Sequence, residues 1–152
     1  MNAPVRRLLF PCLVVAFLLF LVACGSTGGG IGQRSGNGFS RKIEFAPRYN
    51  IEKAIRTVFQ ADGFQLLAGS GEGGRFEFLR RGDTGGQKLF GEWFGPGVSL
   101  RAEVVVTEIE FGTHRVHCVL KVSEGGVFVM TSKGDRRGKI LLQRVKKLAG
   151  VL

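Results

Sequence analysis

The stretch at residues 98–111 narrows the possible folds of this chain more than any other. Val98, Leu100, Ala102, Val104 and Val106 alternate there with Arg101, Glu103 and Thr107. Successive side chains of a strand point to opposite faces of a sheet, so one face of this stretch is apolar and the other is wet. Gly112-Thr113 turns the chain, and residues 114–124 return with Val116, Cys118, Leu120 and Val122 on one side. Two such runs joined by a short turn predict an antiparallel hairpin. Its apolar face has to be covered by a second layer.

The sequence offers that cover twice. Ile51, Ala54, Ile55, Val58 and Phe59 recur at the spacing of one helix face. Asn50 is the expected N-cap, Glu52 suits the first turn, and Asp62-Gly63 is the expected stop, with Gly63 left-handed. From about Asp135 a second helical stripe runs through Leu141, Val145, Leu148 and Leu152, with Arg136, Arg137, Lys139, Arg144, Lys146 and Lys147 over much of the remaining surface. Further strands are expected at residues 41–45 (closed by Pro47), 64–68, 75–80, 87–94 and 127–131. Gly-rich turns separate several of them. The resulting order is β-α-β-β-β-β-β-α. The expected fold class is α+β, an antiparallel sheet of about five or six strands with two amphipathic helices on one face. The other sheet face is left to water, lipid or a partner.

The chain ahead of this domain has a different character. Arg6 and Arg7 precede residues 8–23, which carry no charge. A basic start and an apolar run shorter than a spanning helix is the layout of an export signal. The run ends in Leu21-Val22-Ala23-Cys24, followed by Gly25. This resembles the lipobox of bacterial lipoprotein precursors. The resemblance implies that residues 1–23 are removed and that Cys24 carries a diacylglyceryl thioether and an acylated amino group. Gly25, where Asp would favour retention, implies the outer membrane if the host has two. A single acyl chain anchors marginally, whereas two or three hold a domain firmly.

Residues 24–40 are rich in Gly and Ser and read as a flexible tether, with a root-mean-square reach of roughly 20–25 Å. Residues 41–152 form the expected single domain. Loss of Arg6 and Arg7 lowers the formal charge from +10 to +8. A basic domain beside a bilayer is drawn to anionic headgroups. Export argues against nucleic acid as the partner.

Chemistry-bearing motifs are weak. Gly69-x-Gly71-x-x-Gly74 matches a dinucleotide-binding pattern, but a strand follows where a helix is required. It reads as a hairpin turn. His114 and His117 fall on opposite strand faces. His114 and Cys118 share a face but stand roughly 13 Å apart, so no metal site is expected. Of the three cysteines, Cys12 leaves with the leader and Cys24 takes the lipid. Cys118 then stays as a lone, buried thiol, with no internal disulfide possible. Ser70 lacks the setting of a hydrolase nucleophile, and Arg81-Gly82-Asp83 reads as a turn. No cofactor is expected.

Two segments are candidates for contact with a partner or a membrane. One is the aromatic stretch with Phe90, Trp93 and Phe94, whose rings either form a lip or pack into the core. The other is the basic last helix with Arg144, Lys146 and Lys147. In element order and lipid anchoring the chain resembles small α+β lipoproteins of the lipopolysaccharide-transport and barrel-assembly machineries. That likeness carries over no functional residue. The expected function is a non-enzymatic binding or scaffolding module of the cell envelope. The alternatives are a lipid-binding or lipid-transfer domain, and an envelope enzyme whose site has no sequence signature. Intact-mass spectrometry of the protein from its own envelope should find a chain starting at Cys24 and carrying two or three acyl chains. A free thiol at position 24 or a retained leader is the contrary result.

Overall fold

A computed structural model describes residues 38–152. The expected leader, Cys24 and the tether up to Asn37 lie outside the described residues. The elements are β1 (Phe39–Glu44), α1 (Arg48–Ala61), β2 (Gln65–Leu66), a 3-10 turn (Glu72–Gly74), β3 (Arg75–Arg81), α2 (Thr84–Phe90), β4 (Val98–Glu110), β5 (Thr113–Glu124), β6 (Phe128–Met130) and α3 (Ser132–Ala149). The six strands form one antiparallel sheet in the order β1-β5-β4-β3-β2, and β6 also pairs with β5. The fold is α+β, with α1 and α3 packed on each other and over one sheet face.

The central hairpin pairs as the alternation dictates. Leu100 faces Val122, Ala102 faces Leu120, Val104 faces Cys118 and Val106 faces Val116, and all eight side chains are buried. On the far side of β4, Phe76 and Phe78 pair with Val104 and Ala102 and extend the same apolar surface. α1 closes over it with Ile51, Ala54, Ile55, Val58 and Phe59. The Phe59 ring stacks on Phe78 at 4.7 Å and meets Phe64 edge-on at 5.4 Å. α3 adds Leu141, Leu142, Val145 and Ala149.

Several boundaries differ from expectation, each for a local reason. Asn50 does not cap α1. Pro47 holds that place, and its carbonyl accepts from the Asn50 and Ile51 N–H groups at 2.9 and 3.2 Å. Proline presets φ for a helix entrance, so α1 begins at Arg48. The expected strand at 64–68 shrinks to Gln65–Leu66. α3 starts at Ser132 rather than Asp135, because the Thr131 hydroxyl accepts from Gly134 N–H at 3.2 Å. Gly134 itself lies against the Leu120 carbonyl, where a Cβ would come within 3.0 Å. Leu152 falls beyond α3 and is exposed rather than part of its apolar stripe.

The largest difference is at residues 87–94, which form no strand. The chain enters α2 at Thr84, with the Asp83 carboxylate accepting from Gly86 N–H as an N-cap. Both ends of this connection are pinned. Gly82 N–H donates to the Val98 carbonyl at 2.7 Å, and a Cβ on Gly82 would collide with the Gly95 carbonyl. The aromatic spacing that suggested a strand is instead an i, i+4 pair, Phe90 and Phe94, with ring centres 4.8 Å apart.

β1 also ends one residue early. Phe45 leaves the strand in the left-handed region (φ 59°), and its N–H donates to the Gly112 carbonyl at 3.2 Å.

Truncating Phe59 to Ala should cost about 3–5 kcal/mol, the usual range for a buried ring. The midpoint and slope of urea unfolding check it, and a loss under about 1 kcal/mol would mean the α1–sheet contact is not the core of the fold.

Candidate functional site

β3 delivers more than apolar groups to the covered face. With period two, Arg80 follows Phe76 and Phe78 onto that side, and only 7% of it is exposed. Its guanidinium carbon lies 4.7 Å from the Phe90 ring centre and 5.5 Å from that of Phe94. From α3, the Arg137 guanidinium approaches Phe90 at 4.6 Å, and Lys133 Nζ lies 5.6 Å over Trp93. A cation over an aromatic face is worth roughly 2 kcal/mol when desolvated. Nε and Nη1 of Arg80 and Nε of Arg137 find no acceptor among the described residues. Burial pushes the Arg80 guanidinium below its ordinary pKa, the charges of Asp83 and Asp62 oppose that shift, and Arg137 adds to it.

This cluster decides the fate of the aromatic segment. Phe94 has no exposed surface, so it is a core residue and cannot touch a partner while the fold holds. Phe90 and Trp93 are half-buried against the core. The segment is a plug seated under two arginines, not a lip.

Asp62 is the anionic counterpart. It is 3% exposed and forms ion pairs with both Arg137 and Arg144. In the sequence, Asp62 is marked only as the end of a helix. Its partners lie 75 and 82 residues away in the chain, and no local signal marks them. Arg80 was legible in principle, because strand parity places it on the apolar face.

The second candidate surface is the helix layer. α1 and α3 leave a groove of about 330 Å³ between Thr57, Val58 and Ala61 on one side and Arg144, Lys147, Leu148 and Val151 on the other. Its floor is apolar and its rim cationic. Arg144 is half-exposed and committed to Asp62. Lys146 and Lys147 are exposed. Glu44, ion-paired to Lys42 at 2.8 Å, is held below the usual carboxylate range chiefly by that lysine, with a smaller contribution from Lys146.

The sheet face without helices is wet but ordered. Arg101 Nη2 donates to Glu77 at 2.6 Å, and Lys121 Nζ donates to Glu103 at 2.6 Å. Ser40 Oγ and His117 Nδ1 stand 3.0 Å apart on the same side. His114 is buried on the opposite, helix-covered side. Glu103 and His114 therefore do not converge, and no group of three His, Cys, Asp or Glu gathers among the described residues. Cys118 is fully buried, and desolvation, helped by the charge of Glu103, pushes its thiol up to about 12.

No protein-family model matches the chain, and no curated protein is significantly similar to it.

Asp62→Ala should cost about 3 kcal/mol, because it leaves the largely buried Arg137 without its carboxylate, whereas the half-exposed Arg144 turns to water. Arg80→Met should cost under about 1 kcal/mol, since a long apolar side chain can replace a poorly paired cation. Urea midpoints of the two variants test the contrast. Cys118 should resist alkylation at neutral pH until the domain unfolds. Its raised folded pKa also means that stability falls as pH rises from the ordinary thiol value of 9.0 towards about 12, a range in which only the unfolded thiol ionises readily. Mass-mapped labelling at position 118 across urea and pH measures both.

Proposed function

We propose that the protein is a lipid-anchored binding module of a cell envelope, acting by holding a protein or lipid partner rather than by turning over a substrate. The observation that carries this reading is how completely the space between helices and sheet is filled. Ile51, Ile55, Phe59, Phe76, Phe78, Phe94, Leu100 and Leu141 have no more than 1% of their surface exposed. What the domain presents to other molecules therefore lies on its outside. The lipobox at Leu21-Val22-Ala23-Cys24 supplies the anchor, and the outer membrane is the favoured site in a host with two. The exposed Lys146 and Lys147 favour an acidic partner or anionic headgroups, which attract each basic side chain by about 1 kcal/mol near the surface.

A second reading is favoured by the α1–α3 groove. An apolar floor of that volume with Arg144 and Lys147 at its rim suits an acyl chain with an anionic head. The groove is external, so such binding would be peripheral rather than enclosed.

Affinity capture of the tagged, lipidated protein from its own envelope tests the first reading. A stoichiometric partner should be recovered, and Lys146→Glu with Lys147→Glu should weaken its retention at least roughly thirtyfold, two lost attractions at about 1 kcal/mol each, with an unchanged unfolding midpoint. Recovery of the wild type only in the soluble fraction, without lipid, would sink the proposal.

A further inference from the structure

The exposed aromatic side chains of the described residues are not scattered. They are Phe45, Tyr49 and Phe111, exposed to 98%, 72% and 102% of a free residue's surface. All three stand at one end of the domain. Phe111 and Gly112 form the turn between β4 and β5, and Phe45 is tied to that turn through its hydrogen bond to the Gly112 carbonyl. Tyr49 follows in the first turn of α1.

Neither phenylalanine serves the fold. Both rings are in water, so they add no burial. Phe45 also occupies the left-handed region, which a bulky L-residue adopts only at a cost and which Gly or Asn takes readily. A local rule broken without any packing gain marks a functional position.

We infer that Phe45, Phe111 and Tyr49 form a tip that enters the headgroup region of a lipid bilayer. The inference rests on the proposed membrane anchoring and names the surface that the domain itself touches. Three features favour a bilayer over a protein partner. The Phe45 and Phe111 rings project from loop ends into solvent, and Tyr49 is largely exposed beside them in the first turn of α1. They do not lie on a flat apolar patch of the sort a rigid interface buries. The groups around them are charged in both signs: Lys42, Glu44, Glu110 and Arg115. Such a rim stays in the headgroup layer while the rings go below it. Finally, two rings and a tyrosine give the shallow apolar burial of an interfacial contact.

The chain length permits this orientation. The anchor side of the domain is the Gly38–Phe39 end of β1, about 20 Å along the strand from Phe45. The stretch from Cys24 to Gly38 extends to at most about 50 Å, so the tip can reach the bilayer that holds the lipid. The anchor also makes the second contact intramolecular. A ring pair worth a factor of roughly ten to a hundred each then suffices without strong affinity of its own.

The test uses the full-length lipidated protein in phosphatidylcholine–phosphatidylglycerol vesicles, with Trp93→Phe so that a new tryptophan reports alone. Phe111→Trp should emit to the blue of its detergent-free soluble spectrum. It should lose at least about half its intensity when the lipids are brominated near the headgroup end of their chains, as expected for a ring buried about 5–10 Å into the interface. Tyr49→Trp should be quenched as well, and Phe45→Asn with Phe111→Asn should abolish that quenching at an unfolding midpoint no lower than that of the parent, since Asn takes the left-handed φ of position 45 readily. Water-like, unquenched emission from a sample whose mass shows lipid on Cys24 overturns the tip while leaving the anchor intact. A blue shift that appears only when envelope proteins are added identifies a protein surface instead and also overturns it. If the mass shows no lipid on Cys24, the anchoring reading fails and overturns the tip that rests on it.

Discussion

The β4–β5 pairing carries the rest of the domain. It supplies most of the apolar sheet face, and both of its outer edges are used. β3 pairs along β4, while β1 and β6 share the other side of β5, one at each end. Because the side-chain period of a strand is two, a slip of one residue in this hairpin would turn Leu100, Ala102, Val104 and Val106 to water and bring Arg101 and Glu103 inward. No helix could then pack. The open face reinforces the same register, since Arg101, Glu103, Lys121 and Glu77 find their ionic partners only in this alignment.

The second constraint is electrostatic. A chain with a formal charge of +10 places three arginines near its core, and it solves that problem in two ways. Asp62 takes Arg137 and Arg144 into one carboxylate, tying the end of α1 to α3. Arg80 has Asp83 at 3.8 Å and otherwise rests on aromatic faces. The connection between β3 and β4 is thereby seated by the arginines that need cover. This is why the segment holding Trp93 packs down as a short helix and a turn instead of standing out from the surface.

With the core filled and the aromatic segment committed, the surfaces left for interaction separate by position. The cationic side of α3 and its groove lie on the helix layer. The exposed edge at β6, with Val129 and Met130, lies on one side of the sheet. The Phe45–Phe111 tip lies at the end of β1 far from the expected anchor.

The sequence alone determined the hairpin, the apolar face of α1, its stop at Asp62-Gly63 and the α+β class, because these follow from side-chain periods of two and about 3.6 within short windows. It also placed His114 and His117 on opposite faces, as strand geometry demands. Tertiary structure decided what depends on groups distant in the chain. Phe90 and Phe94 look the same locally whether they line a strand or fold under a guanidinium, and only Arg80 and Arg137, arriving from β3 and α3, settle it. Asp62 reads as an ordinary helix end until two arginines from the far end of the chain reach it. The exposure of Phe45 likewise comes from its hydrogen bond to Gly112, which exists only once β1 has docked on β5. Periodicity is local and legible in a string of letters, whereas charge pairing and the surroundings of a ring are set by neighbours that only the folded chain brings together.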